Sequence, residues 1–145
     1  MTEHDILTDA EREALKEVML TPVSASSCVL IVEDDPVARE LLAELLELNA
    51  IECLTASNEE QALALLASEA INLMITDLRM LPHDGLHLIR KVRESDQATL
   101  PIIIMSGDAS VRDAIDAMHL HVVDFLLKPI DTVKLLKLIR KELGI

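Results

Sequence analysis

At 145 residues the chain fits one domain, long enough to bury roughly 70% of its unfolded surface. Its net charge of −13, from 26 acidic against 13 basic residues, repels phosphate backbones and anionic lipid, which argues against direct nucleic-acid or membrane-surface binding. No apolar run approaches the ~20 residues that cross a bilayer and Met1-Thr2-Glu3-His4-Asp5 does not open a signal peptide, so a cytoplasmic protein is expected.

Residues 1–27 stand apart from the rest. Thr8 followed by Glu11 makes a capping box, and Leu7, Ala14, Leu15, Val18 and Met19 form an apolar stripe among charged residues. This predicts a short amphipathic helix over about Thr8–Leu20, followed by a linker at Thr21–Ser27. So short a helix is marginal alone, and its stripe must pack on its own domain, on a second copy or on another partner. A homodimer contact is the favoured reading.

From Cys28 to Ile145 strands and helices alternate, in one domain. The first strand is Cys28–Glu33, and Asp35-Pro36 supplies an N-cap and N1 proline for a helix to about Asn49. The second strand is Glu52–Ala56, after which Ser57 with Glu60 reads as a capping box for a helix to about Glu69. The third strand, Leu73–Thr76, precedes a helix from about Gly85 to Glu94. The fourth, Ile102–Met105, precedes a helix from Ser110 to Met118. The fifth, Val122–Leu127, precedes a helix capped by Asp131 and ending near Leu143-Gly144. Continuous Ile/Val/Leu runs in the first and fourth strands suit positions buried on both faces of a sheet. Five such units predict a doubly wound, right-handed α/β fold with a parallel sheet. Phe125 is the only aromatic residue, so the core must be aliphatic. Cys28 and Cys53 lack metal-type spacing and read as reduced residues of the core strands.

Each of four strands delivers polar groups at its C-terminal end: Glu33-Asp34-Asp35, then Asp77, then Ser106-Gly107, then Lys128-Pro129. In an open parallel sheet those ends share the edge where such folds place their sites. Singly, each group has an ordinary explanation. An acid pair can be a solvated loop, Asp35 a helix cap, and Ser-Gly a turn. Jointly, clustered carboxylates with one Lys repel one another unless a divalent cation sits among them. The set, in this order, resembles the receiver domain of two-component response regulators.

The resemblance covers about residues 28–143 and includes Asp84-Gly85 and Asp124-Phe125-Leu126-Leu127-Lys128-Pro129. It implies a flavodoxin-like strand order 2-1-3-4-5 and phosphorylation of Asp77. It implies Mg²⁺ or Mn²⁺ bound directly by Asp34, Asp77 and the backbone carbonyl of Arg79, with Glu33 acting mostly through water. Lys128 and Ser106 would contact the phosphoryl oxygens, and Phe125 would be a rotameric switch as well as a core filler. Arg79 and Asp108 hold positions that tune phosphoryl lifetime, and the two could pair over the site. The Lys128-Pro129 bond is expected to be cis. A sensor histidine kinase or histidine phosphotransfer protein is the implied donor; the downstream protein or output domain is left open. Two departures stand out. Met80 is followed by Leu81 and then Pro82 where the family commonly has Met-Pro, and His121 stands where the family often has Gly.

Three rival readings compete. A phosphorylation-independent receiver-like interaction module usually lacks one of the acid pair, the acceptor or the Lys, and all are present here. A haloacid-dehalogenase-like phosphatase also uses an aspartyl phosphate, but it needs an Asp two residues after the nucleophile, where this chain has Arg79. A receiver cut from a longer regulator would share every feature. The five histidines suggest no site. His83 and His87, four apart at a helix start, are expected on the surface and not in a transition-metal site.

Overall fold

Five apolar runs become five parallel strands in the computed structural model, which describes residues 27–80, 82–108 and 110–145. They are β1 Cys28–Val32, β2 Glu52–Ala56, β3 Leu73–Asp77, β4 Ile102–Ser106 and β5 Asp124–Leu127, ordered β2-β1-β3-β4-β5. The helices between and after them are α1 Pro36–Leu48, α2 Glu59–Ser68, α3 Gly85–Arg93, α4 Val111–His119 and α5 Thr132–Leu143. Both the fold class and the strand order match expectation. The helix expected over about Thr8–Leu20 lies outside the described residues.

Alternation along each strand builds two cores, because successive side chains point to opposite faces. Leu30, Val32, Met74, Ile102 and Ile104 meet Ala62 and Leu66 of α2, Ile89 and Val92 of α3, and Ala117 of α4. Val29, Ile31, Leu73, Ile75, Ile103 and Met105 meet Leu46 of α1 and Leu135 and Ile139 of α5. The sheet is therefore covered on both faces, which is why its central strands read as unbroken apolar runs. Cys28 and Cys53 are free thiols, as expected.

Helix starts follow the predicted caps with one correction. Asp35, Ser110 and Asp131 cap α1, α4 and α5. At α2 the cap is Asn58 and not Ser57: Asn58 Oδ1 accepts from Gln61 N–H at 2.8 Å, and Gln61 Oε1 accepts from both the N–H and hydroxyl of Ser57. An amide cap is as good as a hydroxyl, and Gln61 rather than Glu60 lies three residues after it. Gly144 ends α5 in the left-handed region at φ 72°, the conformation that suits a helix C-terminus.

β5 begins two residues later than predicted because Val122 N–H still bonds back to Ala117 of α4. His121 adopts φ 57° in that turn, the departure anticipated from its position. Arg93 supports the turn from below. Its guanidinium donates to the carbonyls of Leu120 at 2.7 Å, Leu100 at 2.7 Å and His121 at 3.3 Å, and burial lowers its pKa.

Candidate functional site

The carboxyl ends of β1, β3, β4 and β5 meet at one edge, held there by the ladder itself. Asp77 and Ser106 are the last residues of their strands and not the first of loops. Leu78 N–H bonds Met105, and Lys128 N–H bonds the Ser106 carbonyl at 2.7 Å, so the strand ends stay in register to the final residue. Gly85 closes the edge from beneath. A Cβ there would collide with the carbonyl oxygen of Asp77, so only glycine lets α3 start so near the strand.

Ligand oxygens of Glu33, Asp34 and Asp77 all lie within 4.8 Å of one another. Glu33 and Asp77 are buried, at 1% and 6% exposure, whereas Asp34 faces solvent. Lys128 Nζ lies 2.9 Å from Glu33 Oε1 and 3.3 Å from Asp77 Oδ2. Burial lowers the pKa of this ammonium, but its hydrogen bond to Glu33 and the charge of Asp77 outweigh that and hold it above the usual lysine value. The Asp34 carboxyl is raised, first by partial burial and then by its hydrogen bond to and the charge of Glu33. One ammonium thus contacts two of the three clustered carboxyl groups. Their donor set is all hard oxygen, partly buried and short of positive charge, which fits Mg²⁺.

Smaller contacts shape the pocket. Asp35 N–H donates to Glu33 Oε2 at 3.2 Å, and Arg79 N–H approaches Asp77 Oδ1 at 3.4 Å. Arg39, which sequence reasoning missed, donates to the Glu33 carbonyl at 2.9 Å and so fixes the acid loop. The Ser106 hydroxyl is buried and accepts from Asp108 N–H at 3.1 Å. Phe125, half-buried, packs against the core cluster that includes Ile104. The Lys128-Pro129 bond is cis, as expected.

One expectation needs correcting. Arg79 does not pair with the Asp108 carboxylate. It donates to the Asp108 carbonyl at 3.3 Å, and its ion-pair partner is Asp113 at 2.8 Å. Asp113 is the third residue of α4, already held there by its reciprocal bonds with Ser110. Those bonds and Arg79 hold its pKa below the usual carboxylate range. A preset acceptor wins over a loop carboxylate that would have to be ordered first. The structure also brings Glu59 to His83 and His87, the histidine pair that the sequence places four apart at a helix start.

Residues 29–140 match the family model described as the response regulator receiver domain. The chain belongs to this family. A solved response regulator receiver protein from Pseudomonas putida superposes with a TM-score of 0.79 at 50% identity, covering 82% of this chain and 99% of that one. An uncharacterized 14.6 kDa protein of Leptolyngbya boryana is 36% identical over 114 residues, 78% of this receiver and 87% of that protein. The Pseudomonas aeruginosa C4-dicarboxylate transport transcriptional regulatory protein DctD is 32% identical over 124 residues, and the response regulator protein FleR of the same organism 36% over 114. The matches span 86% and 79% of this receiver but only 27% and 24% of those two regulators. Receiver domains are signalling domains of two-component systems and are not generally classed as enzymes. No helix among the described residues is long and apolar enough to cross a membrane.

Proposed function

We propose that this receiver takes a phosphoryl group from a phosphohistidine of a sensor histidine kinase or phosphotransfer protein, carries it on Asp77, and loses it to water. The observation that carries the reading is the Lys128 ammonium lying between Glu33 and Asp77, with the Ser106 hydroxyl at the end of the next strand. A carboxylate oxygen of Asp77 forms the O–P bond while the P–N bond breaks. The donor imidazole nitrogen keeps the bonding pair and takes up a proton. Lys128 can swing from Glu33 to a phosphoryl oxygen, as a point charge on a flexible stem. The Ser106 hydroxyl can donate to another. Mg²⁺ held by Asp34, Asp77 and the Arg79 carbonyl, with Glu33 through water, would neutralise charge moving with the phosphoryl group.

A groove beside the site supports a protein donor. It runs between α1 and the β5–α5 turn, lined by Ala38, Leu41, Leu45, Pro129 and Ile130, and opens onto Glu33 and Lys128. Leu41 is 61% exposed there, an apolar surface that a partner helix would cover. Phosphorylation would draw Ser106 toward the phosphoryl group, turn Phe125 inward and change the face formed by α4, β5 and α5. The setting is the cytoplasm, and the segment before Cys28 serves assembly as a homodimer contact. Deleting residues 1–24 and weighing the protein by light scattering tests that last point.

Incubation with Mg²⁺ and acetyl phosphate should add one phosphate mass, and Asp77→Asn should remove it. Labelling of the variant at the wild-type rate would sink the assignment.

A further inference from the structure

The N-terminal ends of α2 and α3 bring together a second group of ligands with different chemistry. Glu59, the first residue of α2, is 6% exposed. Its Oε1 lies 2.6 Å from His87 Nδ1, and its Oε2 lies 3.6 Å from Lys91 Nζ. The His83 ring stacks on His87 with centroids 4.2 Å apart and planes inclined by 18°. One ligand atom from each of Glu59, His83 and His87 lies within 4.8 Å of the others.

We propose that Glu59, His83 and His87 bind a divalent transition cation, Zn²⁺ foremost. Two imidazoles and one carboxylate are a donor set that holds zinc with water in the remaining position. Around one such ion at about 2.1 Å, tetrahedral ligand atoms stand roughly 3.4 Å apart. The His87–Glu59 contact must open slightly, and the His83 ring must turn out of its stack on His87, because an ion lies in the plane of each imidazole that binds it and near-parallel stacked rings share no such point. His83 is exposed, so its side chain can turn without disturbing the core. Lys91 occupies Glu59 Oε2 and leaves Oε1 for the ion, orienting the carboxylate from outside.

A simple ion pair accounts for Glu59 with His87 and Lys91. That pair does not need the second imidazole, which its stack on His87 brings within 4.8 Å of the same carboxylate and so completes a set of three donors. The two sites would sort metals by hardness: oxygen-only donors at Asp77 suit Mg²⁺, whereas imidazole nitrogen selects the transition series. Binding would also tie α2 to the segment between β3 and α3, which carries Arg79. The inference stands apart from the phosphorylation reading, because neither His83 nor His87 belongs to the acid pocket.

Titration of zinc chloride into the full chain by calorimetry, with millimolar Mg²⁺ present to occupy the oxygen site, should show a zinc site. His83→Ala, which removes an exposed ring, should weaken it by more than the roughly 10–100-fold that loss of an outer partner costs. His119→Ala should leave it unchanged. In NMR spectra of the unaltered chain, zinc should move the ring protons of His83 and His87 and leave those of His119 and His121 in place. Wild-type zinc affinity in His83→Ala, or unmoved His83 and His87 signals at saturating zinc, would overturn the site.

Discussion

The Lys128 ammonium sits nearer Glu33, at 2.9 Å, than Asp77, at 3.3 Å, although Asp77 is the acceptor the family expects. Glu33 is the more deeply buried carboxylate and has the greater need of a counter-charge. Lys128→Met should therefore destabilise the fold as well as slow phosphorylation. Breaking a fully buried pair costs roughly 3–5 kcal/mol; Lys128 is 33% exposed, so about 2 kcal/mol is expected. Urea denaturation checks this. A variant as stable as wild type would show that Glu33 draws nothing from the pair.

Like-charge repulsion among Glu33, Asp34 and Asp77 is only partly relieved by one ammonium. Asp77→Asn should raise the melting temperature without Mg²⁺ and shrink the further gain on adding it. At tenfold the dissociation constant, bound metal stabilises by about 1.4 kcal/mol, or roughly 3–6 °C for a domain of this size. Thermal melts with and without millimolar Mg²⁺ decide it. An unchanged wild-type melt would count against metal at this edge.

Arg79 straps the β3–α3 loop to α4 through Asp113. An exposed pair contributes ~0–1 kcal/mol, so loss of the strap should change phosphoryl lifetime by at most about fivefold and melting hardly at all. Arg79→Ala and Asp113→Asn should both speed dephosphorylation, and by similar factors. Followed by decay of the phosphoprotein mass, an effect confined to Arg79→Ala would assign the role to the guanidinium alone.

Gly85→Ala sets two effects against each other. Alanine is worth up to about 1 kcal/mol more than glycine in a helix interior and less at its first turn. Its Cβ, however, would strike the Asp77 carbonyl, which is backbone and cannot swing aside. Sterics should win, destabilising by about 1–3 kcal/mol and slowing labelling of Asp77. Equal stability would mean that α3 can move away from the strand end.

Burial, then the charges of Glu47, Cys28 and Glu52, push the Cys53 thiol up to about 11. At pH 8 only about one such thiol in a thousand is ionised, and the thiolate is the nucleophile. Thiol reagents should react slowly with the native protein and promptly with both cysteines in denaturant. Because folding disfavours the thiolate, Cys53's stabilising contribution is complete below an unfolded pKa of about 8.5 and is lost as pH rises from there to about 11. Denaturant melts across that range should show stability falling. Fast native labelling at pH 8 would mean that the site opens.

The architecture was legible in the sequence because short-range physics sets it. Short unbroken apolar runs such as Val29–Val32 and Ile102–Met105, bounded by turn residues, suit strands covered on both sides, and Asp35, Ser110 and Asp131 cap the helices that follow. The meeting of Asp77, Ser106 and Lys128 at one edge was legible for the same reason: a strand end is a local signal, and parallel strands put all their ends on one edge. Tertiary structure alone decided which charges pair. Asp113 took Arg79 from 34 residues away, Lys128 leaned to Glu33 across 95, and Glu59 met His87 across 28. No pattern along the chain encodes those choices, because each depends on how two loops or two helix starts are set against one another in space.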